Sequence, residues 1–228
     1  MSTSRESGDV LPVLWLTAGL GCDGDSVAMT SATQPSIEDL VGGVFPGVPA
    51  VELHHPILSY ENGEDYLTTF PRGAAGELGP FVLIVEGSIP DEGLSGDGCW
   101  AAMGNDAETG EQITTCEWID RLARHAWTVM AVGTCAAYGG IHALPGNPTG
   151  AMGLSDYLGW DWTAKSGFPI INLGGCPVRP DNMTSTILAL LPPFAGHGPA
   201  LVLDSGRPPA ACAAPPAHTV GAPRACDP

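Results

Sequence analysis

Five short apolar runs punctuate the chain: VLWLTAGL from Val13, VELHHPIL from Val51, FVLIVEG from Phe81, WTVMAVGTC from Trp127 and PIINLGGC from Pro169. They are rich in β-branched residues and nearly continuous rather than strictly alternating. Longer segments separate them. That pattern predicts strands of a parallel sheet covered on both faces. Between the runs, Ser36–Leu40 predicts the core of a helix and Glu111–His125 a longer one, in which Ile113, Ile119, Leu122 and Ala123 share a face. Asp181–Leu191 predicts the last helix, capped near Asp181 and stopped by Pro192 and Pro193. Alternation of strand and helix implies an α/β domain over residues 11–203, a doubly wound parallel sheet of flavodoxin-like kind. Residues 204–228 change character: they are rich in Ala and Pro, lack periodicity and read as a disordered tail.

Charge narrows the function classes. Eight Lys and Arg face 25 Asp and Glu, a formal net charge of -17, and such a field repels phosphate backbones and anionic membranes, so nucleic acid is excluded as a partner class. No run approaches the ~20 apolar residues of a membrane span. The start, MSTSRESGDV, has neither an apolar signal region nor a twin-arginine pair, which gives a cytoplasmic expectation. In that compartment seven cysteines do not form a disulfide framework, which leaves metal binding or packing.

Three of the seven stand at strand ends: Cys22 in GLGC, Cys135 in GTC and Cys176 in GGCP. In an open parallel sheet, ligands bind outside the carboxyl ends of the strands, and neighbouring glycines let backbone amides approach a bulky inorganic group. A cubane iron–sulfur cluster needs four anionic ligands; Asp25, one helical turn from Cys22, is placed to be the fourth. A carboxylate is a harder, weaker donor to iron than a thiolate and would alter potential and lability. Each residue also has a plainer reading: a cysteine as a small buried hydrophobe, Asp25 as a helix N-cap, and the four together as a tetrahedral zinc site, which the lack of any CxxC disfavours.

The motifs WLTAGLGCDGDSV, IVEGSIP, AVGTCAAYGGI, NPTGA and INLGGCPVRPDNM, in that order, resemble the small, electron-transferring subunit of nickel–iron hydrogenases over nearly all of Leu11 to Leu191. Most members begin with CxGC; CDGD here resembles the oxygen-insensitive, actinobacterial-type branch. The resemblance implies one proximal [4Fe-4S] cluster held by Cys22, Asp25, Cys135 and Cys176, and a separate large subunit carrying nickel and iron. This chain would then accept electrons from hydrogen oxidation and pass them outward. Glu86 corresponds to the family's glutamate beside that cluster, with a proton relay as one role and a helix-capping, hydrogen-bonded carboxylate as the other. The loops carrying Cys22, Glu86 and Cys135 are then expected to form an exposed, fairly apolar surface. Cys116 is expected in the core, and Cys99 in packing or incidental exposure. His54 and His55 would point to opposite faces of a strand. His142 follows the Cys135 loop and would orient it or simply lie at the surface. The likeness stops at LVLDSGRP, so the family's further clusters are expected to be absent and Cys212, His218 and Cys226 to be chance residues of the tail. The alternatives are a related cluster subunit of a quinone-reducing respiratory complex, whose first motif carries adjacent cysteines, or a truncated chain that no longer relays electrons.

Overall fold

A computed structural model describes residues 10–197, apart from 18 and 60–62. The calls on the tail, with Cys212, His218 and Cys226, lie outside the described residues.

All five apolar runs form strands of one sheet: β1 (Val10–Thr17), β2 (Ala50–His54), β3 (Val82–Glu86), β6 (Thr128–Val132) and β7 (Ile171–Leu173). They lie in the order β2-β1-β3-β6-β7, every neighbouring pair parallel. This is the flavodoxin-like order, in which the chain leaves β1 in one direction and later returns to its other side at β3. The crevice between the carboxyl ends of β1 and β3 is therefore the topological switch point. A separate antiparallel ribbon pairs β4 (Ala102–Asn105) with β5 (Gln112–Thr114).

Both faces of the sheet are covered, which explains its continuous hydrophobicity. Leu14, Leu16, Leu83, Val85, Val129 and Ala131 face one core. It is closed by α3 (Glu64–Leu67), α4 (Thr69–Ala74), α5 (Thr115–Ala123), α6 (Gly133–Tyr138) and α7 (Leu154–Leu158). The alternate positions Val13, Trp15, Val82, Ile84, Met130 and Val132 face the other core, under α1 (Gly24–Met29), α2 (Ile37–Gly42) and α8 (Pro180–Phe194). Complete burial of each such aliphatic side chain is worth about 1.5–3 kcal/mol.

Helix boundaries depart from the sequence reading in three places. The helix expected over Glu111–His125 starts at Thr115, because Gln112–Thr114 pairs in the ribbon and the Thr114 hydroxyl then accepts from the Glu117 amide at 3.1 Å. A β-branched Ile-Thr pair suits a strand, and threonine suits an N-cap. Asp181 does not cap α8. Arg179 holds the N-cap position, and the Asp181 carboxylate instead accepts from the amides of Thr33 (2.7 Å) and Gln34 (3.1 Å). Pro192 and Pro193 lie within the last turn of α8 rather than ending it. Proline fixes a helical φ but gives up its N–H and crowds the carbonyl four residues back, while the Pro192 and Pro193 carbonyls still accept from His197 (2.8 Å) and Gly196 (3.1 Å).

Candidate functional site: four loops at the carboxyl edge

Cys22, Cys135 and Cys176 follow β1, β6 and β7, so the parallel sheet delivers all three to one edge. Cys22 and Cys176 are exposed and Cys135 is half-buried. Burial pushes the Cys135 thiol up, a hydrogen bond from Ser88 opposes this, and the nearby Cys176, Cys22 and Asp25 each push it further. The direction places Cys22, Cys176 and Asp25 near enough to Cys135 for their charges to act on it.

The loops that carry these groups are tied to one another. The Ser88 amide donates to the Leu20 carbonyl at 2.8 Å, joining the loops after β3 and β1. The Val178 amide donates to Asp25 Oδ1 at 2.7 Å, joining the loop after β7 to α1. Thr134 joins the loops after β6 and β7: its amide donates to the Gly175 carbonyl at 2.7 Å, and its Oγ1 accepts from the Gly175 amide at 3.1 Å. The Ser88 hydroxyl donates to the Gly139 carbonyl at 2.7 Å, bringing the segment after α6 against β3. Behind it, the NPTGA turn is anchored by Ile89 and Met152, whose amides each donate to the other's carbonyl, and by the Asp91 amide on Thr149.

Asp25 is buried, 8% exposed, in the first turn of α1. It does not cap that helix. The N-cap position is Asp23, in the left-handed region at φ 54°, a conformation Asp tolerates better than most residues. Burial raises the Asp25 carboxyl to about 7, against the lowering influence of the Val178 amide and with a further rise from the Glu86 charge. A side chain at Gly133 would overlap the Asp25 carboxylate, and its φ of +88° also favours glycine.

Glu86, 3% exposed, lies beneath α1, so its own side chain adds nothing to the exposed surface expected of the loops that carry Cys22, Glu86 and Cys135. The period of two along β3 points it to the Trp15 face of the sheet, and that face is covered by α1. Its Oε1 accepts from the amides of Asp25 (2.9 Å) and Ser26 (3.2 Å), and its Oε2 from Trp15 Nε1 (2.9 Å) and the Ser26 hydroxyl. It is the group that holds the first turn of α1.

The remaining candidates separate cleanly. Cys116 is buried, donates to the Pro90 carbonyl and is pushed up by burial to about 12, a packing residue. Cys99 is partly exposed, outside the four loops. His54 and His55 are both buried. His55 Nδ1 accepts from the amides of Ile57 (3.0 Å) and Leu58 (3.1 Å), and its ring packs on Trp15 with centroids 4.7 Å apart. His142 lies 3.2 Å from the Ser88 hydroxyl. Sequence reasoning missed Trp15, Ser26, Ser88, Thr134 and Val178. All five lie inside the quoted motifs, but what they bond to is not visible along the chain.

Among the described residues, no group of three or more His, Cys, Asp or Glu side chains is arranged to hold a single metal ion. Three strand-end thiols and an inward carboxylate, set among glycines that keep the walls bare, are a donor set suited to a larger iron–sulfur group. What fold and site define is a doubly wound α/β protein with a thiol-rich ligand edge at its switch point.

The NADH ubiquinone oxidoreductase, 20 Kd subunit family matches residues 22–190. The periplasmic [NiFeSe] hydrogenase small subunit of Desulfomicrobium baculatum is 33% identical over 210 residues, covering 89% of this chain and 62% of the relative. The hydrogenase-2 small chain of Escherichia coli K12 is 31% identical, covering 79% of this chain and 42% of its own. Among solved structures, the actinobacterial-type NiFe-hydrogenase from Ralstonia eutropha H16 is 56% identical, with a TM-score of 0.85, over 88% of this chain and 58% of that one. The chain belongs to this family, and within it to the small subunits of nickel–iron hydrogenases. It spans about two-fifths to three-fifths of these curated relatives' length (42% and 62%).

Proposed function

We propose that this chain is the electron-transfer subunit of a nickel–iron hydrogenase, holding one [4Fe-4S] cluster through Cys22, Asp25, Cys135 and Cys176 and working with a large subunit that carries the nickel–iron centre. The observation that supports this best is the placement of the three cysteines after β1, β6 and β7 of one parallel sheet, with Asp25 three residues beyond Cys22 and their loops cross-linked by Ser88, Thr134 and Asp25. Bound there, the cluster would supply a one-electron acceptor for electrons from hydrogen oxidation.

The chain's own residues have definable tasks. Cys22, Cys135 and Cys176 supply anionic sulfur, and Asp25 a harder oxygen donor. Its Oδ1 is occupied by the Val178 amide, which leaves Oδ2 for iron. Four donated hydrogen bonds favour a positioning role for Glu86 over a proton relay: it fixes the turn that presents Asp25. Val27 (59% exposed) in α1, Leu94 (55%) in the 3-10 turn Glu92–Leu94 and Ile141 (72%) in the 3-10 turn Gly140–Ala143 all belong to segments that follow the carboxyl ends of strands and suit an apolar partner surface. Among the described residues no helix is long and apolar enough to cross a membrane. The respiratory-complex alternative is disfavoured by identities of 31–56% to hydrogenases.

The test is anaerobic purification of the tagged chain from its source cells, with nickel, iron and acid-labile sulfide measured. A nickel-containing partner, iron and sulfide near four per cluster and hydrogen-dependent dye reduction are expected. A chain free of iron and of any nickel partner would sink the proposal.

A further inference from the structure

Trp15 is fully buried in β1 and is held at three points. Its carbonyl accepts from the Tyr66 hydroxyl, its ring lies against the His55 ring with centroids 4.7 Å apart, and its Nε1 donates to Glu86 Oε2 at 2.9 Å. The His55 ring is pinned in turn, because its Nδ1 accepts from the amides of Ile57 and Leu58. The indole N–H is thereby presented to Glu86 in one fixed direction.

The bonds on Glu86 divide by oxygen. Oε2 takes the two side-chain donors, Trp15 Nε1 and the Ser26 hydroxyl. Oε1 takes the two backbone donors, the amides of Asp25 and Ser26. The terminal torsion of a glutamate is soft, so whatever holds Oε2 sets the direction in which Oε1 faces. The first turn of α1 depends on that direction. The leading amides of a helix have no partner within it, and the side chain of Asp23, at the N-cap position, makes no capping bond. Glu86 supplies the missing acceptor, and Trp15 and Ser26 aim it.

We propose that Trp15, with Ser26, is a positioning residue for Asp25: through Glu86 it holds the turn that presents the Asp25 carboxylate to iron. The inference rests on the cluster reading above. A carboxylate is a weaker donor to iron than a thiolate, so of the four ligands Asp25 is the one that a small displacement detaches first. The iron it binds is then the one that leaves.

The test is mild oxidation of the intact cluster-loaded protein, purified in the complex in which it is expressed, followed by electron paramagnetic resonance. Ferricyanide takes one electron from a [4Fe-4S]2+ cluster; the iron at Asp25 departs as Fe2+, and the [3Fe-4S]+ remainder has its own paramagnetic signal. Wild type is compared with Trp15→Phe, Ser26→Ala, Glu86→Gln and the double variant Trp15→Phe, Glu86→Gln. Trp15→Phe keeps an aromatic ring beside His55 but removes the N–H. Loss of one hydrogen bond to a charged acceptor is expected to raise the ratio of three-iron to four-iron form roughly tenfold. Ser26→Ala is expected to raise it in the same direction. Because Trp15 acts through Glu86, adding Trp15→Phe to Glu86→Gln is expected to change nothing further. Phe70→Leu, a fully buried site in the opposite core, is expected to lower the melting temperature without raising the ratio. An unchanged ratio in Trp15→Phe, full additivity in the double variant, or an equal rise in Phe70→Leu overturns the inference while leaving the cluster reading intact. A wild-type protein without iron and labile sulfide overturns both. Should Trp15→Phe fail to accumulate, Ser26→Ala decides: an unchanged ratio overturns the inference, and a raised one supports it.

Discussion

At Asp25 one short side chain serves two purposes. Oδ1 satisfies the buried Val178 amide, and Oδ2 faces the glycine-walled space at Gly133. Replacing Asp25 by Ala leaves that amide without a partner, so a loss of about 1–3 kcal/mol is expected in a urea-unfolding comparison, together with loss of iron. Asp25→Cys restores a fourth soft donor and is expected to retain iron while shifting the cluster midpoint downward, a thiolate being the stronger electron donor; an unchanged midpoint would argue that the carboxylate is not a ligand. His55 gives an independent prediction, on stability against pH. Burial lowers its pKa from 6.5 to about 4. Between these values the unfolded chain binds more protons than the native one, so stability rises with pH. The contribution of the neutral ring is complete above about 6.5 and is lost as pH falls toward 4, in all roughly 3 kcal/mol. In His55→Asn, whose Oδ1 can replace Nδ1 as acceptor for Ile57 and Leu58, the melting temperature is expected to fall less than that of wild type across the same window.

Elements explain why some of this could be read from the sequence. The sheet was legible because burial on both faces leaves continuous apolar runs, and parallel strands carry their ends to one edge; Cys22, Cys135 and Cys176 inherit their convergence from that. Asp25 was legible only as a neighbour of Cys22. Its fixing partner, Val178, is 153 residues away, and the amide it presents to Glu86 is 61 residues from that carboxylate. Bonds of that span depend on where loops meet, and no local pattern records them. The boundary misses at Thr115 and Asp181 have the same origin, since a strand partner in one case and a distant loop in the other claimed groups that local rules assign to the helix. The linkage of α1 to β3 leads to a third prediction. Glu86→Gln exchanges one acceptor oxygen for an amide nitrogen in a site where every neighbour is a donor. A loss of about 1.5–3 kcal/mol is expected, with greater protease cleavage between Cys22 and Met29. If Glu86→Gln keeps wild-type stability but slows hydrogen-dependent proton exchange, the proton-relay role returns.

For the molecule as a whole, the formal charge of -17 keeps most of the surface hydrated and mutually repulsive between copies. Against that background Val27, Leu94 and Ile141 expose 59%, 55% and 72% of their area in segments that follow the carboxyl ends of the strands. Single exposed aliphatics need no explanation; several bordering the one edge that carries the thiols call for one. If the nickel-bearing subunit covers that edge, charge placed there should block assembly without harming the fold. Both Val27 and Ile141 project from the surface, so the double variant Val27→Asp, Ile141→Asp is expected to stay within about 0.5 kcal/mol of wild-type stability and to fold with the same far-ultraviolet circular dichroism. Its co-purification with a nickel-containing partner is expected to fall at least tenfold, because each buried, unpaired carboxylate opposes docking by more than the ~1.4 kcal/mol that a factor of ten requires. A control outside the four loops, Trp160→Asp, replaces a side chain 63% exposed beyond α7 and is expected to leave assembly unchanged. Retention of the partner by the double variant, with loss in the control, would move the interface away from the carboxyl edge and with it the route by which electrons reach Cys22, Cys135 and Cys176.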